Sequence, residues 1–306
     1  MKKNLINSLA LMLVCMACHQ AAEKKQETYV PVNDKVKLAS FPYAAPKPVN
    51  GTLYGIVELG GSSFNSFIIE KDYADRWKMI KSNYGESKVV ENENENKAIK
   101  TGLKEYVDEM IKRGVSKDLI YFIQSSTASK NKKVQELNPI LEELGYNVVG
   151  VNVDKEAAYA FYATMPKEFQ DEAFVLDIGS GNTKISWLEE DSVMTKDAPG
   201  SKYYQYELSD SAVYSAVYEL VASIPAQKRK KCFLIGGAPY KLALESNEFA
   251  EQYTVINAPG EYTTDDAKIL CGLNIYKAAF DASPESEGFI FDWYSNFTIG
   301  YLLQEF

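Results

Sequence analysis

From residue 51 onward, short apolar runs alternate with amphipathic stretches. Residues 53–58 and 64–69 read as strands joined by a Gly-Ser turn, and 77–80 as a third, because β-branched and aromatic residues there are bounded by turn formers. A solvated Glu-Asn repeat at 91–96 leads into a helix ending near residue 113. Residues 119–124 (LIYFIQ) form a buried strand, 131–144 a helix, 147–151 a strand and 155–165 a helix. The pattern then restarts. Residues 173–177 and 183–188 pair around a glycine turn, 209–223 is a helix, and 232–235 is a strand opening on Gly236 and Gly237, with helices near 240–244 and 264–279. GIVELGGSSFNSFII at 55–69 and FVLDIGSGNTKISWL at 174–188 share one grammar, and placing Glu58 on Asp177 gives an offset of 119 residues. That is a duplicated domain rather than a solenoid repeat. Strand, hairpin, strand, helix, strand, helix, done twice, predicts an α/β protein with two similar lobes, 51–170 and 171–306, and a ligand cleft between them.

The first 50 residues have a different character. MKKNLINSLALMLVCMACHQ starts with two lysines and continues into an apolar run at 9–16. This is shorter than the roughly 17–25 residues of a spanning helix, so it reads as an export signal. Its Ala17-Cys18 end resembles the box where bacterial lipoproteins are cleaved and lipidated on cysteine. The resemblance implies a signal over 1–18 with lipidated Cys18, a polar proline-bearing tether over 19–50, and a lipid-anchored place in the bacterial cell envelope, facing the periplasm or the cell surface.

With 46% hydrophobic and 25% charged residues, the chain can fill two medium cores. Removing residues 1–17 takes away two lysines and no acids, which moves the formal net charge from -9 to -11. A chain so acidic is a poor general ligand for nucleic acid, and its contact with membrane falls to the lipid. A homodimer stays open. Cys232 and Cys271 lie in apolar runs, as buried thiols or as a disulfide in an oxidising compartment. The single histidine, His19, lies beside the anchor, which excludes a Ser-His-Asp triad and any imidazole-bearing zinc site in the folded body.

The chemistry concentrates at the two glycine hairpins. Gly60, Gly61, Ser62 and Ser63 in one, and Gly179, Ser180, Gly181, Asn182 and Thr183 in the other, let backbone approach a ligand closely and turn N–H groups towards an anion. Glu58 and Asp177 end the preceding strands. Carboxylates beside an anion call for a cation, and Mg2+ or another divalent ion binds one or two carboxylates together with phosphate oxygens. In one copy, glycines supplying positive φ to an ordinary hairpin would suffice; two copies at equivalent places favour a ligand. Lys130, near Lys132 and Lys133, is the candidate phosphate lysine. The tail GFIFDWYSNFTIGYLLQEF is interrupted by Asp292, Asn296 and Gly300 and is expected to pack on the second lobe.

Together with FLIGGAPYKLA at 233–243, the hairpins resemble the phosphate-1, phosphate-2 and adenosine motifs of the actin, sugar kinase and heat-shock chaperone superfamily. Within it the chain is most similar to the Ppx/GppA exopolyphosphatase and guanosine pentaphosphatase family. ELGGSSFNSFII resembles that family's Asp-Leu-Gly-Ser-Asn-Ser-Phe element and LDIGSGNTKI its Asp-Ile-Gly-Gly-Gly-Ser-Thr-Glu element. IQSSTASKNKK resembles its Thr-Ser-rich strand end, and VDKEAAYAFYATMP its Glu-Glu-Ala-Arg helix start. The likeness spans 51–279. It implies two actin-like, ribonuclease H-like lobes, nucleotide contact at Gly236 and Gly237, a metal on Glu58 and Asp177, and Glu156 as the general base that activates water against a terminal phosphate. An acid in a first helical turn also serves the helix dipole. This chain departs from the family with Glu58 for Asp, Ser129 or Lys130 for Arg, Lys155 for the first Glu and Ala158 for the last Arg. Three functions follow: an Mg2+-dependent phosphohydrolase acting on polyphosphate or a phosphorylated guanosine nucleotide; a catalytically impaired lipoprotein that binds a phosphorylated ligand or protein partner; and an ATP-binding actin-like protein, which export disfavours.

Overall fold

The computed structural model describes residues 41–60, 64–84, 96–246 and 252–306, all in one unit spanning 37–306. β1 (Thr52–Leu59) and β2 (Phe64–Lys71) pair antiparallel with Glu58 opposite Asn65, and β3 (Trp77–Tyr84) extends β2 on its outer side. On the other side of β1, β4 (Ile120–Gln124) and β5 (Asn147–Gly150) add in parallel, giving the order β3-β2-β1-β4-β5. The second sheet repeats the wiring. β6 (Ala173–Ile178) pairs antiparallel with β7 (Asn182–Glu189), β8 (Ser192–Pro199) flanks β7, and β9 (Lys231–Ile235) runs parallel to β6. β10 (Tyr253–Val255) and β11 (Gly288–Asp292) complete the order β10-β11-β9-β6-β7-β8. The duplication read from the two hairpins is therefore present in the strand pairing.

Both sheets are covered on both faces, which explains their nearly continuous apolar runs. Strand alternation turns Val57 and Leu59 towards Leu103, Val107 and Met110 of α1 (Asn96–Lys112), while Ile56 on the opposite face meets Tyr159 and Ala160. Two short helices, α2 (Lys132–Gln135) and α3 (Asn138–Glu143), occupy the place of the single helix expected over 131–144. Pro139 causes the break: it has no N–H to continue a helix and sits in the first turn of α3.

The central element is α4 (Val153–Thr164). Its Tyr159, Ala160 and Ala163 pack on the first sheet, and its Phe161, with Met165, packs on Ala173, Val175 and Phe233 of the second. α5 (Asp210–Ala222), α6 (Gly237–Ser246) and α7 (Ala267–Asp281) cover the far face of the second sheet, where Val213, Val217, Leu242 and Ile275 meet Phe174, Leu176 and Ile178. The tail expected on the second lobe divides. β11 is buried at all five residues between β9 and β10, whereas α8 (Phe297–Glu305) crosses to the first sheet, where Phe297, Ile299 and Leu302 join Ile56, Ile69 and Tyr121.

The tether also ends in contacts. Phe41 meets Phe233 edge-to-face at 5.6 Å and Phe169 at a tilt at 5.2 Å, and Val49 N–H donates to Asp72 at 2.9 Å. Cys232 and Cys271 are buried free thiols rather than a disulfide. Among the described residues, no helix is long and apolar enough to cross a membrane. Residues 1–40, with Cys18, lie outside the described residues.

Candidate functional site

Glu58 and Asp177 hold equivalent places near the ends of β1 and β6, opposite Ile123 of β4 and Ile235 of β9. Between them enters the first turn of α4, begun by Asn152, whose side chain accepts from Lys155 N–H. That cap starts the helix before the expected residue 155 and sets Glu156 in the first turn, facing inward and only 7% exposed. One Glu156 oxygen accepts the Ser126 N–H at 2.8 Å, and the other accepts the Lys184 ammonium at 2.9 Å. Lys184 lies on β7 directly across from Asp177, is 3% exposed, and reaches to 3.9 Å from Asp177 Oδ2.

Glu58 is bound differently. Its Oε2 accepts Asn65 Nδ2 at 2.7 Å and Asn296 Nδ2 at 3.0 Å, the latter from the loop that caps α8. Burial pushes the Glu58 carboxyl up to about 7; the two amides oppose this, and the charges of Glu156 and Asp177 reinforce it. Asp177 is pushed up to about 6, by burial first, against Lys184 and with help from Glu156. Carboxylates of both sheets thus share one electrostatic environment.

A pH effect follows. The folded value of about 7 for Glu58 lies above the ordinary 4.5, so the folded state binds this proton more tightly than the unfolded chain. The resulting stability is complete at low pH and is lost as pH rises through about 7. Glu58→Gln keeps a carbonyl for both asparagines and removes the titration. It should match the wild type near pH 5 and exceed it by about 2 kcal/mol near pH 8, as read by urea unfolding at both pH values.

The other expected residues separate into groups. Gly60 follows β1 and is buried, while Gly61, Ser62 and Ser63 lie outside the described residues. In the second hairpin the carbonyls of Gly179, Ser180 and Gly181 accept from Ser201, Lys202 and Gly200 N–H. A Cβ on Gly181 would have Thr127 Oγ1, of the first lobe, as its nearest neighbour at 4.0 Å, an ordinary van der Waals contact, so this corner faces the β4 end. Asn182 gives its amide to Asp197 at 3.1 Å, and the wholly buried Thr183 gives its hydroxyl to the Pro199 carbonyl at 3.0 Å; both side chains serve the hairpin. Gly236 has φ +109°, and a Cβ there would stand 2.4 Å from the Ile178 carbonyl, so packing alone demands this glycine. Gly237 opens α6 with Lys268 Nζ 3.5 Å from where its Cβ would be. Burial, then the charges of Lys202 and Lys241, hold the Lys268 ammonium below the usual lysine range despite Asp266. The Lys268 ammonium thus stands beside the first residue of α6 and feels the charges of Lys202 and Lys241. Lys130 is exposed in the short turn after β4, four residues past Ser126.

Sequence reading missed Lys184, Ser126, Asn65 and Asn296. Only Lys184 carried a signal, since it stands where the resembled Asp-Ile-Gly-Gly-Gly-Ser-Thr-Glu element ends in Glu. The donor set does not suit a divalent ion there, because a metal on Asp177 would crowd the Lys184 ammonium. Among the described residues, no group of three or more His, Cys, Asp or Glu is arranged to hold a metal.

Two sheets of matching topology, with a carboxylate at equivalent strand ends, are the arrangement of the actin, sugar kinase and heat-shock chaperone fold. Solved structures place it close to Ppx/GppA proteins. The Aquifex aeolicus Ppx/GppA family member is 18% identical, with 83% of this chain and 97% of that chain covered at a TM-score of 0.59. The type II variant of the Aquifex aeolicus Ppx/GppA phosphatase is 16% identical, covering 83% and 99% at 0.60. An exopolyphosphatase from Cytophaga hutchinsonii is 11% identical, covering 83% and 97% at 0.62. No family model and no curated protein matches the chain. At these identities the likeness is one of fold.

Proposed function

We propose that this chain is a phosphate-ligand-binding protein on the exopolyphosphatase fold. Its cleft takes the terminal phosphates of polyphosphate or of a phosphorylated guanosine nucleotide, and a lipid on Cys18 tethers it to the bacterial cell envelope, facing the periplasm or the cell surface. The occupied state of Glu156 carries this reading. A general base needs an oxygen facing the attacking water, and both oxygens of this carboxylate already accept from the protein, one from the Ser126 N–H and one from Lys184, which leaves each a single lone pair for a water. Anion recognition survives. Gly181 is exposed, Lys268 stands at the start of α6 within the field of Lys202 and Lys241, and Lys130 is exposed at the β4 end.

Hydrolysis is the second reading, favoured by Glu58, whose value of about 7 suits proton transfer near neutrality. ATP binding loses one support, since Gly236 is accounted for by its approach to Ile178. Calorimetric titration of the full chain with polyphosphate, guanosine pentaphosphate and ATP, beside a phosphate-release assay, separates the three. Binding of polyphosphate or guanosine pentaphosphate without turnover is the expected result. Phosphate release that disappears in Glu58→Gln or Glu156→Gln would replace it with the hydrolase.

A further inference from the structure

The Lys184 ammonium occupies the position from which a divalent cation would have to act, and we propose that it takes that cation's place, so that the cleft holds a phosphorylated ligand without Mg2+ or any other divalent ion. This deepens the binding reading above.

A metal between strand-end carboxylates and a phosphate relieves their mutual repulsion. Lys184 supplies that positive charge from within the fold. β7 delivers it from directly opposite Asp177, and its Nζ lies 2.9 Å from Glu156 Oε1, 3.4 Å from Asn182 Oδ1 and 3.9 Å from Asp177 Oδ2. Two carboxylates and an amide carbonyl are oxygen donors of the kind Mg2+ takes, and here they converge on an ammonium instead. An ammonium has three N–H donors, and three oxygens surround this one.

The lysine has no easy exit. β7 is held by β6 on one side and β8 on the other, α4 lies over its inner face, and the side chain is 3% exposed. A divalent ion at Asp177 would have to enter beside a fixed positive charge that already serves Glu156. The ammonium has carboxylates for neighbours on two sides, Glu156 at 2.9 Å and Asp177 at 3.9 Å. The cation of this site is therefore covalent, permanent and monovalent. It neutralises carboxylates for a bound phosphate, and chelators cannot remove it.

The test uses the full chain and two probes. Mn2+ is titrated into the wild type, Asp177→Asn and Lys184→Glu, with free Mn2+ read by electron paramagnetic resonance and stability by thermal unfolding. The wild type should leave Mn2+ free and its melting temperature unmoved. Lys184→Glu, which exchanges the ammonium for a carboxylate, should capture about one Mn2+ at least about tenfold more tightly than the wild type and melt higher in its presence. Tripolyphosphate is then titrated into the wild type in EDTA and in Mg2+, with affinities expected within about threefold of each other. Mn2+ capture by the wild type that is lost in Asp177→Asn overturns the proposal, as does tripolyphosphate binding that requires Mg2+. If Lys184→Glu does not fold, the wild-type measurements decide alone. If tripolyphosphate binds in neither medium, the binding reading fails, and the Mn2+ titration still decides the role of Lys184.

Discussion

Lys184→Met should cost about 3–5 kcal/mol of stability at pH 8, because it removes one partner of a buried ion pair and leaves the other charged. The stranded group is Glu156, 7% exposed, whose remaining hydrogen bond is the Ser126 N–H. Asp177 loses the same counter-charge, and Lys184 is what opposes the upward push of burial there. Adding Glu156→Gln to Lys184→Met should recover at least half of the loss, since Gln keeps an acceptor for Ser126 and carries no charge. Urea unfolding of the four proteins of this double-mutant cycle measures the coupling, expected at about 2 kcal/mol or more. Purely additive effects would mean that the pair contributes nothing as a pair. Acidification gives a second check: as carboxylates protonate, the penalty of Lys184→Met should shrink, so the gap between variant and wild type is narrower at pH 5 than at pH 8.

That lysine also shows where the sequence stops informing. In TKISW, Lys184 falls on the phase opposite Thr183 and Ile185, which in a one-faced sheet is the solvent side. β7 instead has two covered faces, and residues 183–187 are all buried. The second cover is α4, which arrives from the other half of the chain, and no local period records it. By contrast, strands that are themselves continuous apolar runs, such as LIYFIQ and KCFLI, were legible, as were the strand-end positions of Glu58 and Asp177, while Glu156 stood out only through the resemblance of VDKEAAYAFYATMP to a family helix start. β8 was not legible: this edge strand, SVMTKDAP, sets Lys196 beside Asp197 and ends in proline, with no sustained alternation, so it resembles a loop. Asn296 was hidden for a third reason. In the sequence it is only a polar interruption of the tail; in the structure it caps α8, and its hydrogen bond to Glu58 spans 238 residues of chain.

Gly300→Ala is expected to be the other severe change, at about 3 kcal/mol or more. A Cβ at Gly300 would stand 1.8 Å from the Tyr159 carbonyl oxygen and 2.5 Å from its carbon, and these are backbone atoms that no rotamer can move aside. α8 must then lift from α4. With it would go Phe297, Ile299 and Leu302 from the first sheet, and Asn296 from Glu58. Loss of that amide removes a contact that holds the Glu58 proton affinity down, so the partly unfolded site should titrate differently from the intact one. Gly102→Ala is the matched control. Position 102 lies inside α1 with nothing within 4 Å of the added methyl, so the better helix former should stabilise by about 0.5–1 kcal/mol. Thermal unfolding of both variants should therefore move in opposite directions. If Gly300→Ala melts with the wild type, α8 is not the clamp that ties the tail to the first lobe, and the route from residue 296 to Glu58 must be held by something else.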